Sequence, residues 1–169
     1  MKAFLIAVFA LSTILVGCVT TTEPSTDAQR LSVIDLTQTP GFTWFVAEMD
    51  GYRPDSAHVS RVRTAMNASP DKKVYIFVRP TCSCRGTQRM FPQVMKTLMD
   101  AGVDMGRVEV WSMKAATDAQ PYASLFTVTQ LPAFYVVANG VVTASMGDDF
   151  ATNYDETNAD SLIANAVSR

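Results

Sequence analysis

The most restrictive stretch of this chain is 73–79, KVYIFVR, a compact run of Val, Ile and aromatic residues without strict alternation of apolar and polar positions. A strand of that composition is buried on both faces, so it belongs inside a sheet that is covered on each side. The chain leaves it through Pro80-Thr81-Cys82-Ser83-Cys84 and enters a helix-period segment, 85–100, carrying Met90, Phe91, Val94, Met95, Leu98 and Met99, with Gly102 as its stop. Two thiols therefore stand where a central strand gives way to a helix.

The flanking pattern is that of an α/β chain. Upstream, Phe42, Phe45, Val46 and Met49 mark a short amphipathic helix, and Val59, Val62 and Met66 share one face of a second, capped by Asp55 or Ser56. Downstream, 107–113 (RVEVWSM) reads as a strand and 118–126 as a short helix with Pro121 in its first turn. The runs 133–138 and 141–146 read as two strands joined by the hairpin turn Asn139-Gly140, and 157–167 as a closing helix. A parallel pair with a helical crossover, then an antiparallel hairpin and a helix, predicts a three-layer sandwich: a central mixed sheet flanked by helices, with an N-terminal helical extension. The 169 residues suit one domain.

Composition narrows the chemistry. Fourteen Lys plus Arg against sixteen Asp plus Glu leave no basic excess for gripping a phosphate backbone, and a single His rules out a His-rich metal centre by supply. No metal and no cofactor are expected. His58, on a polar stretch, reads as a surface residue, Asp155-Glu156 as solvated loop charges, and Trp111 with most of the nine Met as core.

The three Cys require separate explanations. Lys2 followed by the apolar run 3–16 is too short for a comfortable membrane span and fits a secretory signal. Its ending, Leu15-Val16-Gly17-Cys18, resembles the lipobox of bacterial lipoproteins, which implies cleavage after 17 and a lipid on Cys18. The expected organisation is a lipoprotein signal peptide at 1–17, a flexible tether at 18–40, rich in Thr, Ser, Pro and Asp at its start, and a folded domain at 41–169. Val19, where Asp would direct retention in better-studied sorting systems, favours the outer membrane. The domain would then face the periplasm from a lipid-anchored position in a bacterial cell envelope, a compartment that permits disulfides.

The element order, the cysteines after the first central strand, and TQLPAFYVVANGVV together resemble the thioredoxin superfamily, over roughly 42–167. In that family a helix-kinking Pro lies eight residues after the nucleophilic Cys. Here Pro92 stands eight after Cys84, so the resemblance makes Cys84 the attacking thiol. It also implies a cis peptide at Leu131-Pro132, with the Leu131 backbone left free to pair with an extended peptide substrate. The chain departs from the family where Thr87 occupies the second cysteine's position, Ser83 the usual Trp, and Val78 the buried carboxylate.

A thiolate at a helix N-terminus meets unpaired N–H groups and the positive end of the helix dipole, which favours Cys84 as nucleophile; Arg79, Arg85 and Arg89 add positive charge nearby. Cys82, separated from Cys84 by one residue, closes only a small, strained ring, and strained disulfides are the more oxidising ones. Cys82 would resolve the mixed disulfide, with Thr87 placed to hydrogen-bond the Cys84 sulfur or, equally, the backbone. The expected activity is that of a monomeric thiol–disulfide oxidoreductase or isomerase whose partners are extracytoplasmic protein thiols and disulfides, without nucleic acid. Two alternatives stand beside it: a Cu(I)-binding lipoprotein of the same fold, with Met113 and Met146 as candidate ligands, and a scaffold whose C-x-C pair is a structural disulfide.

Overall fold

A computed structural model describes residues 27–147 and 152–169. In chain order its elements are β1 (Gln29–Leu31), α1 (Val33–Gln38), α2 (Thr43–Gly51), α3 (Ser56–Ala68), β2 (Lys73–Val78), α4 (Phe91–Asp100), β3 (Val108–Ser112), β4 (Ala133–Ala138), β5 (Val141–Ser145) and α5 (Ala159–Val167). The strands form one mixed sheet in the order β1-β3-β2-β4-β5, with β2 and β3 parallel and every other neighbouring pair antiparallel. The α/β class and the mixed sheet agree with the expectation from sequence.

β2 is the middle strand, in register with β3 from Val74↔Val108 to Val78↔Ser112 and with β4 from Lys73↔Val137 to Phe77↔Ala133. Because side chains alternate across a strand, Val74, Ile76 and Val78 enter one core while Tyr75 and Phe77 enter another on the opposite face. This two-sided burial is why 73–79 lacks an alternating pattern.

The layers differ from the expected sandwich. All the described helices contribute to the core on the first face: Leu36, Phe45, Val62, Met66, Leu98 and Ile163 meet there. The second face is covered by irregular chain, with Phe126 stacked on Tyr135 at a centroid distance of 4.3 Å and Val128 buried beside them. The helix expected at 118–126 is replaced by turns, since side chains there bind the backbone groups a helix would use. The Gln120 carbonyl oxygen accepts from Tyr122 N–H at 2.6 Å and its amide donates to Phe126 O at 3.2 Å, while Asp118 accepts from the N–H groups of Lys114 and Ala115.

The folded unit also begins earlier than position 41. β1 pairs antiparallel with β3 (Gln29↔Ser112, Leu31↔Val110), Ser32 and Asp35 form a capping box at the start of α1, and Leu36 is fully buried. A three-residue strand and a six-residue helix that bury one large side chain between them present too little apolar periodicity to stand out from a tether. Residues 1–26, with the signal segment, Cys18 and the first part of the tether, lie outside the described residues. No helix among the described residues is long and apolar enough to cross a membrane.

Cations close the helices. Arg107 donates to Met66 O and Ser69 O at the end of α3 and to Lys72 O just before β2, Arg63 to Asp100 O and Ala101 O at the end of α4, and buried Lys72 to Val167 O at the end of α5. Each satisfies carbonyls left without intrahelical partners and meets the negative end of a helix dipole.

The helix starts are joined by Asp160. This buried carboxylate accepts from the backbone N–H groups of Asp55 and Ser161, both at 2.7 Å, and lies 3.2 Å from His58 Nδ1. His58 is therefore half-buried against α5 rather than the free surface residue expected from its polar surroundings. Burial works to raise the Asp160 pKa, but the Asp55 N–H, His58 and the Ser161 N–H outweigh it and hold the carboxyl below its ordinary 3.8. A depressed folded-state pKa stabilises the fold above the unfolded value, and this contribution is lost as pH falls through the folded one. Asp160→Asn is expected to lower stability at neutral pH by about 1–3 kcal/mol and to flatten the loss of stability below pH 3.8, as read from urea unfolding across an acid pH series.

Candidate functional site

The site begins where β2 ends. Cys82 N–H bonds Arg79 O at 2.9 Å, closing a turn with Pro80 at its second position, where a fixed φ is favourable. Gln88 N–H then bonds Cys84 O at 3.0 Å, so the first helical hydrogen bond is accepted by Cys84 itself. A π-helical turn, Gly86–Met90, follows and runs directly into α4, with Phe91 N–H bonded to Gly86 O. Pro92 has no N–H to offer Gln88 O and its ring crowds that carbonyl, which accounts for the wider turn at this point. The helical segment expected at 85–100 is present with this local change of pitch.

Cys82 and Cys84 are joined as a disulfide, their Cα atoms 5.2 Å apart, within the span such a bond bridges. Both residues are half-buried and Ser83 between them is exposed. The two sulfurs have different neighbours. Arg79 Nη2 donates to Cys82 Sγ at 3.4 Å, whereas the Thr87 hydroxyl is 3.4 Å from Cys84 Sγ, as donor because a disulfide sulfur carries no hydrogen. Thr87 is fully buried and turned toward the sulfur.

Leu131 and Pro132 stand at the same end of the sheet. Phe77 is opposite Ala133 in the β2–β4 register, so Pro132 lies level with the end of β2, from which the cysteine turn departs. The Leu131–Pro132 peptide is cis, Pro132 is buried and Leu131 half-buried. The neighbouring end of β3 is tied in by Met113 N–H to Val78 O at 2.8 Å.

Arg85 is engaged elsewhere. Its Nε is 2.8 Å from Glu156 Oε1, its Nη2 donates to Tyr154 O at 3.2 Å, and its guanidinium lies 5.7 Å from the Tyr154 ring centre. Arg89 Nη1 is 3.4 Å from the other Glu156 oxygen. Glu156 is thus a paired charge, not the solvated one expected, and its backbone is left-handed at φ 75°, a conformation rare for a residue with a Cβ. Gln93 steadies this corner: its amide donates to Glu48 Oε1 at 2.7 Å and to Glu156 O at 3.1 Å, and its carbonyl oxygen accepts from the Tyr154 hydroxyl at 3.0 Å. Burial, with Glu156 and Glu48 adding to it, pushes the Tyr154 pKa well above its ordinary value and keeps it a neutral donor. Neither Glu156 nor Tyr154 carries a sequence signal linking it to the cysteines, because both come from a distant loop.

Met113 and Met146, the thioethers considered for Cu(I), are buried in separate cores on opposite faces of the sheet. No group of three or more His, Cys, Asp or Glu side chains suited to a metal occurs among the described residues. Comparisons with protein-family models, curated proteins and solved structures find no match. Alkylation of the purified protein followed by peptide mapping is expected to leave Cys82 and Cys84 unmodified until reductant is added and to label both afterwards; labelling of either without reductant contradicts the pairing.

Proposed function

We propose that this chain is a thioredoxin-like thiol–disulfide oxidoreductase or isomerase of the bacterial envelope, tethered through a lipid on Cys18 and acting on extracytoplasmic protein thiols and disulfides. The observation that carries the reading is the Cys82–Cys84 disulfide at the junction of the central strand and the first turn of a helix, half-buried but reachable. The strand order around it and the position of Leu131-Pro132 beside the same sheet end support the family resemblance.

In the reduced pair the Cys84 thiolate attacks one sulfur of a substrate disulfide. A Cys84–substrate bond forms, the substrate disulfide breaks, and its other sulfur leaves as a thiolate that takes up a proton. Cys82, deprotonated, then attacks Cys84 Sγ, re-forming the intramolecular disulfide and releasing the second substrate thiol. Two electrons pass from the pair to the substrate, and the reverse sequence oxidises a dithiol. The helix start lowers the cost of charge on Cys84, and the Thr87 hydroxyl is within reach to donate to that thiolate. Thr87 in place of a second downstream cysteine leaves resolution to Cys82.

The test is insulin reduction by the purified protein with a small dithiol as electron donor. Wild type is expected to accelerate precipitation of the insulin B chain, and Cys84→Ser to return the rate to that of the dithiol alone. No acceleration by wild type, or undiminished acceleration by Cys84→Ser, contradicts the proposal; the first result would leave a structural role for the disulfide.

A further inference from the structure

We infer that Arg79 is a catalytic residue of the cysteine pair: its guanidinium holds Cys82 as the departing thiolate, so the mixed disulfide with a protein substrate forms on Cys84. The inference rests on the exchange activity proposed above and assigns the roles of the two sulfurs from their surroundings.

Three arginines lie near the pair in sequence, and the structure separates them. Arg85 and Arg89 direct their charge to the Glu156 carboxylate, at 2.8 Å and 3.4 Å, which neutralises much of what they offer. Among these arginines, only Arg79 has a hydrogen bond to a sulfur among the described residues, and that sulfur belongs to Cys82. The contact is built by the local fold: the Arg79–Cys82 backbone bond closes the turn that brings the residue following β2 beside the first cysteine. Cys84 instead has the neutral Thr87 hydroxyl and the helix start.

In a disulfide under attack the sulfur that is the better leaving group departs, and leaving ability rises as the pKa of its thiol falls. A fixed cation beside Cys82 stabilises that thiolate directly. An incoming substrate thiolate therefore attacks Cys84 Sγ; the bond between Cys84 and Cys82 breaks; Cys82 leaves with the electron pair and is held by Arg79. A second substrate thiolate next attacks the substrate sulfur of the mixed disulfide, forming the substrate disulfide and releasing Cys84 as thiolate. The substrate loses two electrons and the pair gains them, with protons taken from solvent. In the opposite direction the same contact keeps Cys82 deprotonated and ready to resolve.

Two measurements test this. In a Cys18→Ala, Cys84→Ser background, ultraviolet thiolate absorbance at neutral pH reports Cys82 alone; Arg79→Met is expected to lower its thiolate fraction about tenfold, and Arg79→Lys to restore most of it. In a Cys18→Ala, Cys82→Ser background the same Arg79→Met change is expected to alter the Cys84 fraction by less than about twofold. An unmoved Cys82 fraction, or an equal fall at both thiols, overturns the assignment. Separately, oxidised wild type is treated with one equivalent of glutathione, quenched in acid, alkylated and mapped. The glutathione is expected on Cys84 and the alkyl label on Cys82; the reverse arrangement overturns it. Wild type that leaves insulin unreduced while retaining an Arg79-dependent Cys82 thiolate contradicts the exchange activity and not the electrostatic role of Arg79, whereas an active wild type with an unmoved Cys82 does the opposite.

Discussion

The structure depends on a six-residue strand that is hydrogen-bonded along both edges and buried on both faces. β2 has no solvent-facing side to give up, so its neighbours on each edge and the layers above and below are all defined relative to it. Its side chains split by the two-residue period into separate cores, one beneath the helices and one beneath irregular chain. The consequence for chemistry is positional. A chain emerging from the end of the central strand leaves between the end of β3 and the start of β4, at the carboxyl end of the parallel pair, the part of an open sheet where ligands are most readily bound.

Charge is used in this fold chiefly to finish helices and hold corners. Arg107, Arg63 and Lys72 satisfy carbonyls at the ends of α3, α4 and α5, and Asp160 gathers N–H groups at the starts of α3 and α5. These contacts fix the helical layer as a unit over the first core. Glu156 does the same nearer the cysteines, binding Arg85 and Arg89 across the first turns after Cys84. That corner leaves Arg79 in contact with sulfur and gives an otherwise symmetrical disulfide two unlike ends.

What the sequence made legible was governed by local pattern. β2, the helix beginning near Cys84, the stop at Gly102 and the hairpin at Asn139-Gly140 follow from composition, period and turn chemistry within a few residues. The pairing of Cys82 with Cys84 and the approach of Thr87 to Cys84 also lie within a single turn. β1 and α1 were hidden because their stability comes from distant partners: β1 is held by β3, and Leu36 is the one fully buried side chain of a six-residue helix. The segment 118–126 has helical composition, yet Gln120 captures its Tyr122 N–H and Phe126 carbonyl while Asp118 turns back to the N–H groups of Lys114 and Ala115, a competition visible only once the side chains are placed. Glu156 was hidden for a related reason, since an acidic loop residue acquires a role only when the fold brings two arginines to it.

The central claim is that Cys82 and Cys84 are an exchanging pair and not a permanent staple. Its most direct test is the midpoint potential of that pair, measured by equilibrating the protein in thiol–disulfide buffers and counting modified cysteines. A disulfide closed across a single intervening residue is expected to titrate as one two-electron couple above about −300 mV, in the range open to physiological thiols. A pair that remains oxidised in buffers poised below about −300 mV would be a structural disulfide, which contradicts an exchanging role for Cys82 and Cys84.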